Sequence, residues 1–296
     1  MKNGSIDPNW GNSGVYALDI TSNDLFSSFL LDKNGKIIVV GSGKGANDQD
    51  VLIARLTTAG QRDSSFNQNG ALLLDVNGQI NTGQDIAENP AGGYYVLSIA
   101  KDGASYVNSI RDNGNGGLDF QNTSVLSYKV GINTTQMYKI LVDTAGNIVL
   151  GGRVDYAGNR DAHIARFKAN GNKDLSFNGT GSNTYIPVPA NPNDENIIDM
   201  LLQKDGKILF CSLYGLKEYV IYRIKPDGIP DPFFGNSNGY YKGTPDANTN
   251  FFIPNALAFT KVDSQAIVVG NIYLGPDDYL YYHAFYYNTE KPQAGG

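Results

Sequence analysis

Residues 59–70 read AGQRDSSFNQNG, and the pattern returns as NGNKDLSFNGTG at 170–181, as DGIPDPFFGNSNG at 227–239, as NGSIDPNWGNSG at 3–14 and, worn, as NGNGGLDFQNTS at 113–124. One aromatic marks each copy: Trp10, Phe66, Phe120, Phe177 and Phe234, separated by 56, 54, 57 and 57 residues. A fixed period of tens of residues sets the architecture before any local propensity does, because each unit must bury its apolar faces against its neighbours.

A second landmark keeps the same beat. DKNGKIIVVGS (32–42) is matched by NPAGGYYVLSI (89–99), DTAGNIVLGGR (143–153), QKDGKILFCS (203–212) and VDSQAIVVGN (262–271). Two apolar runs flank a small polar turn, and Asn34-Gly35, Gly92-Gly93 and Asp205-Gly206 accept the positive φ of a tight hairpin. In the first period four strands are expected near 25–31, 36–42, 51–57 and 70–76, and no window carries a helical apolar stripe. Four short strands per unit of about 57 residues suit a propeller blade.

Counting then predicts closure. Fourth-strand segments begin at Gly14, Gly70, Ser124, Ser182 and Gly239, and the three-strand sets begin near Leu25, Asp85, Met137, Ile197 and Ala256. The chain thus opens on a lone fourth strand and ends on a set of three. The expectation is an all-β fold, a five-bladed β-propeller with four-stranded antiparallel blades. Its ring closes where the N-terminal strand, 14–20, joins the last three, which leaves no free edge. One domain, 1–290, would hold blades at 24–76, 84–130, 136–188, 196–243 and 255–289 plus 14–20, with 291–296 a flexible tail.

Composition fits a folded chain: 41% hydrophobic, 18% charged and 35 glycines in 296 residues. The net charge of −6 and the scattered Lys and Arg offer no phosphate-binding surface, so no nucleic-acid partner is expected. No apolar run approaches the roughly 20 residues of a membrane helix, and the polar N-terminus shows no secretory signal. The single cysteine, Cys211, lies in an apolar run and reads as a buried thiol.

IARLTTAGQRDSSF (53–66), HIARFKANGNKDLSF (163–177) and IYRIKPDGIPDPFF (221–234) resemble the delta-60 repeat, a propeller-type repeat of bacterial surface and secreted proteins and of some phage proteins. The resemblance runs from Asn3 to about Asn288 and implies a propeller without fixing a chemistry. Two copies depart from it. SIRDNGNGGLDF (109–120) lacks the aspartate and carries Arg111 two positions late, and Ala284 stands where Arg55, Arg166 and Arg223 do.

Few residues invite a chemical role. Arg55 and Asp63, Arg166 and Asp174, and Arg223 and Asp231 recur eight apart across a turn, which suits Asp capping the turn backbone and Arg anchoring it. The loops 46–50, 155–161 and 275–278 carry acids that could offer oxygen to Ca²⁺, but none has the order of a twelve-residue calcium loop, so they read as solvated turns. His163 and His283 sit in different repeats without a visible partner. Asp199 is nearly alone among carboxylates on the innermost strands, and no nucleophile elbow, phosphate loop, zinc pattern or dinucleotide fingerprint is present. YLYYHAFYY (279–287) and Tyr240-Tyr241 concentrate aromatics near the C-terminus.

No catalytic, cofactor or metal residue is therefore expected. The function expected is non-enzymatic, a binding or scaffolding module on a cell surface or in an extracellular assembly. Its protein or carbohydrate partner would meet the loop face: loops 42–50, 101–105, 152–161, 213–217 and 271–278 with 77–84, 131–136, 189–196 and 244–254. The alternatives are a phage virion structural protein and, with Asp199 at its centre, a lyase or glycosidase working in the channel.

Overall fold

Asp32 folds its own hairpin: its Oδ1 accepts from the Asn34 and Lys36 amides, both at 2.8 Å, and Gly35 takes φ +76°. Asn89 and Asp143 do the same for their turns through Ala91 (2.9 Å) and Ala145 (3.0 Å). These turns join the first two strands of successive sheets in a computed structural model describing residues 4–46, 48–67, 69–112, 118–119, 124–156, 158–185, 195–214, 218–235, 238–243, 251–259, 265–273 and 280–288.

The described strands form five antiparallel sheets and no helix. The first is β1 (Leu25–Leu31), β2 (Ile37–Lys44), β3 (Gln49–Leu56) and β4 (Ala71–Leu74), paired in chain order. In the second, β5 (Asn81–Glu88), β6 (Tyr94–Ala100) and β7 (Ser105–Asp112) continue into both β8 (Leu118–Asp119) and β9 (Ser124–Tyr128), each paired to β7. The third is β10 (Thr135–Val142), β11 (Ile148–Tyr156), β12 (Asn159–Phe167) and β13 (Ser182–Tyr185). The fourth is β14 (Ile197–Leu202), β15 (Ile208–Tyr214), β16 (Glu218–Ile224) and β17 (Tyr240–Gly243). The last holds three: β18 (Phe251–Phe259), β19 (Gln265–Tyr273) and β20 (Leu280–Asn288).

Two compact units contain them, residues 1–129 with the first two sheets and 130–296 with the other three. Within each unit successive sheets stack face to face. β5 packs on β1, β2 and β3, while β14 packs on β10 and β11, and β18 on β14, β15 and β16. Middle strands are covered on both faces, so β3 and β16 are buried almost throughout and read as apolar runs without alternation. Ile38, Val40, Ile53, Phe66 and Val96 fill the core of the first unit. Ile164, Phe177, Met200 and Phe210 fill the space between the third and fourth sheets, and Leu209, Ile221, Phe234, Leu257 and Val268 the next.

Every first strand carries a bulge at the same place, with the register shifting between Phe26 and Ser28, Gly83 and Asp85, Met137 and Lys139, Ile197 and Asp199, and Pro254 and Ala256. Opposite it stands a small residue: Gly41, Ser98, Gly152, Ser212 or Gly270. A Cβ at Gly41 would lie 1.9 Å from the Leu25 carbonyl oxygen, and one at Gly152 2.0 Å from that of Gln136, so the backbone itself occupies the side-chain space.

The expected strand at 14–20 does not form. Only Val15 bridges, locally to Asn12, and residues 16–20 belong to no strand. Ser13 (φ 53°) and Gly14 (φ 90°) turn the chain on itself, and the Asp24 carboxylate takes up the Ile20 and Thr21 amides. An extended segment becomes a strand only where another edge supplies donors and acceptors, and none of the described strands pairs with these residues. The proposed tail and the loop 275–278 lie outside the described residues.

Candidate functional site

Arg55 leaves the end of β3 and its Nε stands 2.7 Å from Asp63 Oδ2; the matching pairs Arg166–Asp174 and Arg223–Asp231 each measure 2.8 Å. Asp63 donates its amide to the Arg55 carbonyl and takes the Ser65 hydroxyl on Oδ1 at 2.6 Å, so the turn is closed by backbone and side chain together. Each guanidinium lies over its repeat's aromatic, at 4.8 Å from Phe66, 4.9 Å from Phe177 and 4.7 Å from Phe234. Burial pushes the Asp63 carboxyl up, but Lys36, Ser65 and Arg55 outweigh it and hold the group well below the usual carboxylate range. These trios are internal ties, with Arg55, Asp63, Arg223 and Asp231 all buried.

A tie between repeats escaped the sequence reading. The Gly11 amide donates to the Ala59 carbonyl at 2.8 Å, and Asn178, at the equivalent position, donates to Asp227 at 2.6 Å. The glycine beside each acceptor seats the preceding aromatic: a Cβ at Gly60 would stand 2.4 Å from the Trp10 ring, and one at Gly228 2.9 Å from Phe177. The recurring glycine in TTAG (57–60) and KPDG (225–228) was the available signal, since a ring needs it empty.

The remaining candidates have internal partners. Asp199 sits 3.4 Å from Lys139 Nζ and accepts the Leu257 amide at 2.8 Å, which links three neighbouring first strands; Ser28 and Asp85 make a similar contact at 2.6 Å. His163 is buried, with Nδ1 2.9 Å from Thr184 Oγ1, and burial with the nearby Lys173 charge lowers its pKa to about 4. Cys211 is enclosed in the core, where burial first and the Asp199 charge second push its thiol up to about 12. Tyr240 packs against Tyr222, at 5.8 Å between ring centres, and Tyr222 stacks on Phe210 at 4.8 Å. The side chains of 280–288, His283 among them, lie outside the described residues.

A cleft of about 490 Å³ opens between the third and fourth sheets, lined by Asp143, Arg166, Lys204, Asp205, Ile208 and Pro226 among others. In the first unit the residue equivalent to Ile208 is Tyr94, whose ring occupies that position and whose hydroxyl donates to Asp32 at 3.0 Å. Among the described residues no cluster of three or more His, Cys, Asp and Glu side chains could hold a metal ion.

The two ends of the sheets differ. The turns after β1, β5, β10 and β14 all have five residues: 32–36, 89–93, 143–147 and 203–207. At the other end the connections β2–β3, β6–β7, β11–β12 and β15–β16 have four, four, two and three, and those leading to β5, β10, β14 and β18 have six, six, eleven and seven. Ile80 (38% exposed) and Ile132 (99% exposed) stand on this second end.

The profile of the family described as "Domain of unknown function (DUF5122) beta-propeller" matches residues 33–66 and 146–177, which supports a propeller-type repeat. A search of curated proteins finds no match. Among solved structures, one from Dyadobacter fermentans, titled as a protein of unknown function, is similar at TM-score 0.55 and 11% identity over 87% of this chain and 74% of that one. Penicillium chrysogenum alpha-L-arabinanase complexed with arabinobiose is similar at TM-score 0.46 and 11% identity, over 87% of this chain and 91% of that one. A GH43 beta-1,3-galactosidase follows at TM-score 0.43 and 10% identity, over 88% of this chain and 55% of that one. These likenesses concern the fold alone. The expectation of a non-enzymatic chain does not stand, because a propeller-type fold gives by itself no ground for excluding catalysis.

Proposed function

We propose that the chain is a binding module built as a five-bladed ring of delta-60-type repeats, and that it meets a protein partner through the end bearing the variable connections. The contrast between the two ends carries this reading: one repeats the same five-residue turn beside β3–β4, β12–β13 and β16–β17 connections of fourteen, fourteen and fifteen residues, and at the other the connections between sheets vary from six to eleven. Function concentrates in loops held by a rigid scaffold, and a constant end serves packing. Exposed Ile80 and Ile132 favour a protein over a sugar, since aliphatic side chains gain from burial in a protein interface. The apolar side chains of β1 support the ring: Leu25, Phe29 and Leu31 are 60%, 71% and 62% exposed, and a preceding sheet packed on β1 as β1 packs on β5 would cover them.

The test is capture of partners from an array of extracellular and surface proteins by purified wild type, Ile132→Ser and Ile80→Ser. A saturable partner lost in either variant, with melting temperature unchanged, supports the reading. Partners that bind both variants as tightly as wild type, or recognition confined to glycans on a parallel array, would overturn it.

A further inference from the structure

Glu195 lies just before β14, tied by its amide to the Arg160 carbonyl at 2.6 Å, and it is only 2% exposed. Its Oε2 is buried with no hydrogen-bond partner. The charge it feels is that of another carboxylate, Asp161 on β12, itself 7% exposed. Asn159, at the start of the same strand, donates its amide to Asp161 Oδ1 at 2.7 Å and leaves its own buried Oδ1 without a partner. Two carboxylates and an unpartnered amide oxygen thus share one end of the third sheet.

We propose that Glu195, Asp161 and Asn159 form a binding site for a hard divalent cation, Ca²⁺ in preference to Zn²⁺. The donors are all oxygens, with neither imidazole nor thiolate, which is the set that suits calcium. Burying like charges side by side is costly unless something positive lies between them. A proton is the simplest such charge, and burial together with Asp161 raises the Glu195 carboxyl to about 8. A proton on Oε2 would still be a buried donor without an acceptor, and Asn159 Oδ1 would stay unpartnered. A cation reached by Oε2 satisfies both acceptors at once. Among the described residues no third carboxylate joins; with water completing the shell, affinity is weak, with Kd on the order of 0.1–1 mM, as in extracellular calcium modules. Asp161 belongs to the acidic loop 155–161; Glu195 comes from a separate connection, and only folding brings them together.

The test uses the whole chain, stripped with EDTA and titrated with CaCl₂ by calorimetry and thermal melting. Wild type should bind with a rise in melting temperature. Affinity should fall as the pH is lowered, because protons compete with the ion for the carboxylates. Glu195→Gln and Asp161→Asn should each weaken binding at least about tenfold, while metal-free Glu195→Gln melts no lower than wild type. No melting shift at several millimolar Ca²⁺, an affinity flat with pH, or equal binding by wild type and both variants would overturn the site. The pH dependence is read on wild type alone and so holds even where a variant fails to fold.

Discussion

Arg55 and Asp63 are 3% and 6% exposed, and their pairing at 2.7 Å, with Lys36 at 2.7 Å from the same Asp63 oxygen, keeps these charges in the interior. Asp63→Ala takes the carboxylate away from the buried Arg55 and from Lys36, so it should lower unfolding free energy by about 3–5 kcal/mol in urea titrations. Arg55→Met with Asp63→Leu should recover most of that loss, because an apolar pair needs no compensation; a double variant as unstable as the single would refute the assignment. His163 makes the opposite choice and stays neutral. Its pKa is about 4 in the fold and about 6.5 in the unfolded chain, so between these values the unfolded state binds the extra proton. Stability from this group is complete above pH ~6.5 and is lost as pH falls towards 4, by about 3 kcal/mol in all. His163→Gln should flatten that part of the stability–pH curve, and an unchanged slope would show that other groups produce it.

A strand's bounds and its irregularities were not equally legible. β1 lies at the expected 25–31, and β2, β3 and β4 start or end within two residues of expectation, because hairpin turns and apolar runs are local signals. The bulges in the first strands were invisible, since Gly41, Gly152 and Gly270 resemble any glycine near a strand end until their cross-strand partners are known. Gly152→Ala should cost at least the upper part of the roughly 1–3 kcal/mol range for overpacking, and Ser98→Ala, at the same register position, far less. The Gly60 seat for Trp10 was equally hidden, because the ring and the glycine belong to different repeats. Gly60→Ala should displace the only tryptophan, Trp10, and shift its emission to the red. Emission that keeps its wild-type wavelength would mean the ring does not depend on that empty space. Glu195 was missed for the same reason: spacing along the chain marks acidic loops, and it cannot show a carboxylate arriving from another connection.

The proposed closure would be a property of the whole chain that no single repeat encodes. Residues 15–20 carry the residues of a fourth strand without forming one, the last sheet has three strands, and β1 leaves Leu25, Phe29 and Leu31 exposed. All three features are accounted for by one proposed event, in which VYALDI (15–20) adds to β20 and completes a fifth blade beside β1. Proline separates the alternatives because it cannot donate to a ladder. In a strand of that blade, either Ala17 or Leu18 points its amide at β20, so proline at one of them should cost about 2 kcal/mol or more and the other substitution less. Trp10 and the contacts of Gly11 to Ala59 and Gln61 stay intact in both variants, so the measurement reads the strand and not the tie before it. Equal, wild-type melting of Ala17→Pro and Leu18→Pro would mean that residues 15–20 remain a free connection, and the ring would have to close by other contacts or not at all.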